Sequence, residues 1–120
     1  YDSTAILKSD GTMWTCGRNN SGQLGNGTRE DSSTFVKVAS DVVKIGAGEE
    51  YFIYLKKDGT LWGMGNSAER QLLNKYEETN VKTPVKLMEG VKDFSTYLRN
   101  TAVITTNGDL YTFGANVTVS

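Results

Sequence analysis

The sequence predicts an all-β fold built from consecutive four-stranded antiparallel sheets, and three observations carry that expectation. Three stretches of the chain resemble one another: TAILKSDGTMWTCG at 4–17, FIYLKKDGTLWGMG at 52–65 and TAVITTNGDLYTFG at 101–114. Each places Asp-Gly or Asn-Gly between two apolar runs, which is the composition of a tight β-hairpin. Between the copies lie further short runs rich in valine, TFVKV with DVVKIGAG and TPVKLM with VKDFST, which supply two more strands per copy.

Taken in order, the hairpins come first. Asp10-Gly11, Asp58-Gly59 and Asn107-Gly108 are pairs that accept positive φ, and they predict two-residue type I′ turns. Ile53-Tyr54-Leu55 before the turn and Leu61-Trp62 after it put apolar groups on both faces, so these strands are expected to be covered on both sides. Pro84 is expected at the start of its strand, where a missing N–H does least harm. The copies are offset by 48 residues (4 to 52) and then 49 (52 to 101). The unit boundaries read as about 1–49, 50–98 and 99–120, the last incomplete, with about ten or eleven strands in all. Four short strands in a unit of this length describe the blade of a β-propeller, here a partial, open ring spanning 1–120. A blade hides its two faces only by packing on neighbours, so repetition is a structural requirement.

Composition excludes several function classes. Thirteen basic residues stand against fourteen acidic ones, and no basic run argues for nucleic acid as a partner. There is no histidine and only one cysteine, Cys16, which removes an internal disulfide, His-based or thiolate-cluster metal sites, and Ser/His or Cys/His catalysis. The expectation is therefore a non-enzyme without cofactor or metal. The apolar runs are far shorter than a membrane span, so no membrane insertion is expected.

One motif suggests chemistry. Gly63-x-Gly65-x-x-Ala68 follows an apolar strand and precedes ERQLLNKYEETN (69–80), which has some helical character, so the stretch imitates a dinucleotide fingerprint. The repeat argues otherwise. Only the second glycine recurs, at 17, 65 and 114, which points to a backbone requirement where the chain leaves the strand. Gly22, Gly25 and Gly27 lack a following Lys-Ser/Thr and read as a compact inter-strand loop. Glu49-Glu50 and Glu77-Glu78 read as solvated loop charges. Asn19, Asn26 and Asn116 head sequons that matter only in a eukaryotic secretory setting. Trp14, Trp62 and Tyr111 align and predict a shared packing role. Tyr51, Phe52 and Tyr54 are expected in the core, with Tyr51 at an exposed rim as the alternative.

The run L-K-x-D-G-T-x-W-x-x-G-x-N-x-x-G-Q-L-G-x-G-T from Leu7 to Thr28 resembles the repeat of the regulator of chromosome condensation family. P-V-K-L at 84–87 and D-V-V-K-I-x-A-G at 41–48 are similar to that repeat's other two strands. The resemblance covers nearly the whole chain, closely in the first unit and partially in the third. It departs where the family has a histidine before its first hairpin strand (here Ser3, Tyr51 and Asn100) and where G-Q-L-G becomes R-Q-L-L at 70–73. It implies a ring of about seven blades. Two and a third copies cannot close one, which leaves a longer propeller or self-association through open blade faces.

The function expected from these readings is a protein–protein interaction scaffold. Contact residues are sought in the loops that vary between units: Arg18, Asn19, Arg29 and Glu30 in the first, Glu69, Arg70, Lys75 and Tyr76 in the second, with Tyr51 as a rim aromatic. The resemblance also implies two alternatives: a guanine-nucleotide exchange regulator, whose rim residues and wedge find no match here, and an inhibitor of a secreted enzyme. Sparse cysteine with abundant Asn, Thr and Gly points to a bacterial secreted or cell-surface setting.

Overall fold

Ten strands, all antiparallel, form three sheets in chain order in the computed structural model, which describes residues 3–66, 80–97 and 100–114. The first sheet holds β1 (Ser3–Leu7), β2 (Met13–Gly17) and β3 (Ser32–Ala39). The second holds β4 (Val42–Gly48), β5 (Tyr51–Lys56), β6 (Leu61–Asn66) and β7 (Asn80–Met88). The third holds β8 (Val91–Tyr97), β9 (Asn100–Thr105) and β10 (Leu110–Gly114). Each is a meander in which neighbours in sequence are neighbours in the sheet. The sheets are therefore out of phase with the sequence units. β4, which ends the first unit by alignment, pairs with β5 of the second: Ile45 faces Tyr54 and Gly48 faces Tyr51.

The hairpins form where expected, with a different turn. Gly11 donates to Lys8 O (2.9 Å) and Lys8 donates to Thr12 O (2.9 Å), which closes a three-residue loop. Only the glycine has positive φ, +87° at Gly11, +85° at Gly59 and +90° at Gly108; Asp10, Asp58 and Asn107 do not. This is a turn followed by a left-handed residue, the common three-residue hairpin, rather than type I′. The aspartate side chain supplies the reason. Asp10 Oδ1 accepts from Thr12 N (3.1 Å) and Thr12 Oγ1 (2.6 Å), and Asp58 accepts from Thr60 with the same distances. Those bonds hold both carboxyls below the usual aspartate range.

The tryptophans repeat the same geometry. Trp14 Nε1 donates to Thr12 Oγ1 at 2.9 Å and Trp62 Nε1 to Thr60 Oγ1 at 2.8 Å. Lys8 lies 5.2 Å above the first ring and Lys56 5.7 Å above the second. The shared packing role of Trp14 and Trp62 is thus observed down to the hydrogen bond.

β5 is the best-covered strand, and its alternation explains the core. Tyr51, Ile53 and Leu55 pack toward the third sheet with Phe94 and Val103. Phe52 and Tyr54 pack toward the first with Met13, Ala5 and Leu7. All five β5 side chains are buried because a sheet lies on either side. Burial pushes the Tyr54 hydroxyl up to about 12.

Pro84 falls in the middle of β7 rather than at its start. β7 is the outer edge of its sheet, and its register with β6 shifts between Gly63 and Gly65, so a strand that bulges here tolerates the missing donor. The stretch at 69–79, with its helical character, and the acids Glu77 and Glu78 lie outside the described residues.

The two-sided burial of β5 predicts a contrast with β1, which is less fully covered. Ile53→Ala, with the side chain at 0% exposure, should cost about 2–4 kcal/mol of unfolding free energy. Ile6→Ala, at 38% exposure, should cost less than about 1 kcal/mol. Urea denaturation of both variants checks this.

Candidate protein-binding rim

Asn19 organises the loop joining β2 to β3, which carries Arg18, Arg29 and Glu30 as well. Its Nδ2 donates to Thr28 O (2.8 Å) and Glu30 O (2.9 Å), and its Oδ1 accepts from Leu24 N (2.9 Å). Its own N–H donates to Asp31 Oδ1 at 2.8 Å. Thr15 Oγ1 binds Leu24 O at 2.8 Å from below. Asn19 is fully buried, so it forms the frame of the loop and offers no surface to a partner. That corrects its assignment as a contact residue and takes its sequon out of reach of modification. An amide with both donor and acceptor capacity is suited to tie both ends of an Ω-like loop.

The loop also rests on the second sheet. Gly27 donates to Lys82 O at 2.9 Å. A Cβ on Gly22 would stand 2.9 Å from Lys82 Cα and 3.0 Å from Val81 O, so the glycine is needed for a close approach of two backbones. Ser21 Oγ donates to Glu50 Oε1 at 3.0 Å. Glu50 is accordingly an anchor, which corrects the reading of it as a solvated charge. Burial pushes its carboxyl up, but hydrogen bonds from Ser21, Asn66 and Asn20 and the nearby Arg18 charge outweigh that and hold it below 4.5. Glu50 itself sits at φ +62°, and its carbonyl accepts from Asn66 N at 2.8 Å.

Gly65 completes this junction. Its φ is +112°, and a Cβ there would lie 2.5 Å from Glu50 O and 2.7 Å from Tyr51 Cα. The recurring glycine is thus a steric requirement at the strand exit, with Gly17 in the matching conformation at φ +105°. Gly63, which completed the apparent nucleotide fingerprint, is an ordinary residue of β6 paired with Ile53 and Val85. Among the described residues no phosphate loop forms.

Of the remaining expected contacts, Arg18, Arg29 and Glu30 are exposed at the rim. Arg29 is held down by a 2.7 Å bond from its Nε to Asn20 O. Tyr51 is 1% exposed, because it stands in the central strand between two sheets. Its hydroxyl donates to Asn100 O at 2.8 Å in the third sheet, so the rim placement is corrected to a tie between sheets. Glu69, Arg70, Lys75 and Tyr76 lie outside the described residues, as does the sequon at Asn116. Glu50 and Lys82 were missed by sequence reasoning; the glycines at 22 and 27 were the signal that a second backbone comes close. Among the described residues no three His, Cys, Asp or Glu groups cluster as a metal set would, and no helix is long and apolar enough to cross a membrane.

Residues 10–55 match the family model described as the regulator of chromosome condensation (RCC1) repeat. That segment carries the pattern of the RCC1 repeat. The match begins in the first sheet's hairpin turn and ends in β5, so the RCC1 repeat straddles two sheets, as the observed phase requires. No curated protein matches the sequence. Among solved structures, human WBSCR16 superposes with a TM-score of 0.86 at 24% identity, covering 99% of this chain and 34% of that one. Yeast RCC1 (Prp20), in its complex with Kap60, gives 0.80 at 23% identity, covering 94% and 30%. Prp20p from Saccharomyces cerevisiae, described with its binding properties to Gsp1p and histones, gives 0.79 at 22%, covering 94% and 31%. The chain spans about a third of these structures. The three sheets are successive blades of a β-propeller and make up part of a ring.

The depressed Glu50 titration has a measurable consequence. Its stabilising contribution is whole above 4.5, its ordinary value, and is lost as pH falls through the lower folded value. Glu50→Gln should therefore lower the denaturant midpoint at neutral pH, and the gap from the parent should narrow as pH falls below 4.5.

Proposed function

We propose that the chain is part of a non-enzymatic protein-binding scaffold, with the rim formed by residues 18–31 and the adjoining Lys82 as a contact surface. The observation that carries this reading is the rigidity of the loop. Asn19, Glu50 and the Gly22–Lys82 approach hold its backbone, while Arg18, Arg29 and Glu30 remain exposed. A surface whose backbone is fixed in advance loses little conformational entropy when a partner docks. Mixed charge of this kind gives specificity and an association rate that depends on salt.

The comparisons lend general support, since yeast RCC1 is described bound to Kap60 and in terms of binding to Gsp1p and histones. Protein partners are the class this chain is expected to share. The exchange-factor and enzyme-inhibitor alternatives draw on no described residue of the rim, and the secreted or cell-surface setting rests on composition alone.

The test is a triple substitution, Arg18→Ala, Arg29→Ala and Glu30→Ala, in a chain whose circular dichroism and melting are unchanged. Once a partner is isolated, affinity should fall at least about tenfold, the sum of a few exposed polar contacts. Unchanged affinity would remove the rim from the binding surface.

A further inference from the structure

The three hairpins share one backbone, and the third differs from the others in its chemistry. Gly11, Gly59 and Gly108 stand at φ +87°, +85° and +90°. In each loop the glycine N–H donates three residues back, to Lys8 O (2.9 Å), Lys56 O (3.0 Å) and Thr105 O (3.0 Å). Before the glycine, the first two loops carry a carboxylate, Asp10 and Asp58, and the third carries an amide, Asn107.

The side chains are also held differently. Asp10 and Asp58 are each pinned by two bonds from the threonine two residues on, one from its N–H and one from its hydroxyl. The third loop has Asp109 at that position, and its N–H turns instead to Thr105 Oγ1 at 3.0 Å. Asn107 is exposed and is held by a single bond, from Thr105 Oγ1 to its Oδ1 at 2.5 Å. A Cβ on Gly108 would meet nothing within 4 Å, so the space around the pair is open.

We propose that Asn107-Gly108 is a self-modifying site, at which the folded chain converts Asn107 through a cyclic imide into aspartate and isoaspartate. The Gly108 nitrogen loses its proton and bonds to Asn107 Cγ, the Cγ–Nδ2 bond breaks, and the side-chain nitrogen leaves as ammonia with that proton. Glycine, lacking a Cβ, leaves its nitrogen open to the approach. Negative charge passes through Oδ1 during the attack, where the Thr105 hydroxyl already donates. Water then opens the imide at either carbonyl. One opening gives the aspartate that the other two hairpins carry. The other routes the main chain through the side-chain carbon, which lengthens the loop and breaks the register that joins Thr105 N to Asp109 O at 2.9 Å. Asp10 and Asp58 do not follow, because their carboxyls are ionised and resist nucleophilic attack.

The fold withholds the same reaction from the other Asn-Gly pair, Asn26-Gly27. Gly27 N–H is bound to Lys82 O of the second sheet at 2.9 Å. Asn26 Oδ1 accepts from Thr28 N, Thr28 Oγ1 and Asn19 Nδ2 at 3.2, 3.0 and 3.3 Å. Freeing that pair requires lifting the 18–31 loop off its neighbour, whereas freeing Asn107 requires only local opening of an exposed turn.

The experiment ages the 120-residue chain in mildly alkaline buffer, folded and urea-unfolded in parallel. Residues 10, 26, 58 and 107 are followed by peptide mapping with electron-transfer fragmentation, which separates aspartate from isoaspartate. In the unfolded chain the two Asn-Gly pairs should convert at similar rates. In the folded chain, conversion at 107 should outrun that at 26 by at least about tenfold, with isoaspartate among its products and none at 10 or 58. Asp109→Thr, which restores the paired threonine bonds of the other hairpins, should slow conversion at 107 by at least about threefold. Amide exchange at Thr105 and Gly108 should quicken as isoaspartate accumulates, while Lys56 and Gly59 hold steady. Equal rates at 26 and 107 in the folded chain, no conversion at 107 while the unfolded chain reacts, aspartate without isoaspartate, or an unchanged rate in Asp109→Thr would each overturn the proposal.

Discussion

The arrangement depends on a hydrogen bond between successive sheets that starts from the hairpin glycine. Val42 N donates to Gly11 O, and Val91 N donates to Gly59 O, each at 2.9 Å. The positive φ of the glycine turns its carbonyl out of the hairpin, where the next inner strand begins. A second bond fixes the linker to the sheet it enters, extending that sheet's own first ladder from Lys57 N to Asp41 O at 2.8 Å and from Thr106 N to Gly90 O at 2.9 Å. Asp41 and Gly90 also have positive φ, at 58° and 66°, so the linker between sheets is bent in the same way twice. These paired bonds set the distance and angle at which one sheet faces the next, and the apolar clusters about Ile53 and Phe52 fill the two interfaces so defined.

At the opposite rim, the contact between sheets is made by side chains and by an inserted loop. Tyr51 reaches the third sheet through its hydroxyl there, while nearer the hairpins Lys44 pairs with Asp93 at 2.6 Å and lies 5.2 Å over the Phe94 ring. Both members of that pair are exposed, so its contribution is small and screened by salt. The loop at 18–31 spans the first interface from above and ends on Glu50. Structure and candidate function thus share one region: the residues that fix the loop are buried, and those that remain exposed are presented by it.

Much of this was legible in the sequence because it repeats. Asp-Gly-Thr-x-Trp encodes the turn, the threonine bonds and the indole donor together, and both full copies form it identically. The recurring glycine at 17 and 65 was correctly tied to backbone geometry. What could not be read depends on contacts between units. The sheets start at β4 and β8 rather than at the hairpins, because strand pairing is decided by edges and alignment of sequence has no edges. Tyr51 is in the core, as its default reading had it, but its hydroxyl tie to Asn100 could be read only with the third sheet in place. Glu50 looked solvated because its partners Ser21 and Asn66 are distant in sequence. The turn type was misjudged because Asp10 satisfies its neighbours through its carboxylate and has no need of positive φ.

The central claim is that the glycine-carbonyl bonds and the buried faces couple the sheets into one cooperative body. Native-state amide exchange at Val42 and Val91, whose N–H groups bond to the glycine carbonyls of the preceding sheet, tests this most directly. The account predicts that these amides exchange only through global unfolding, with the same opening free energy as the central strand β5. Fast exchange at these two sites while Ile53 and Tyr54 remain protected would show sheets that separate independently, and would contradict it.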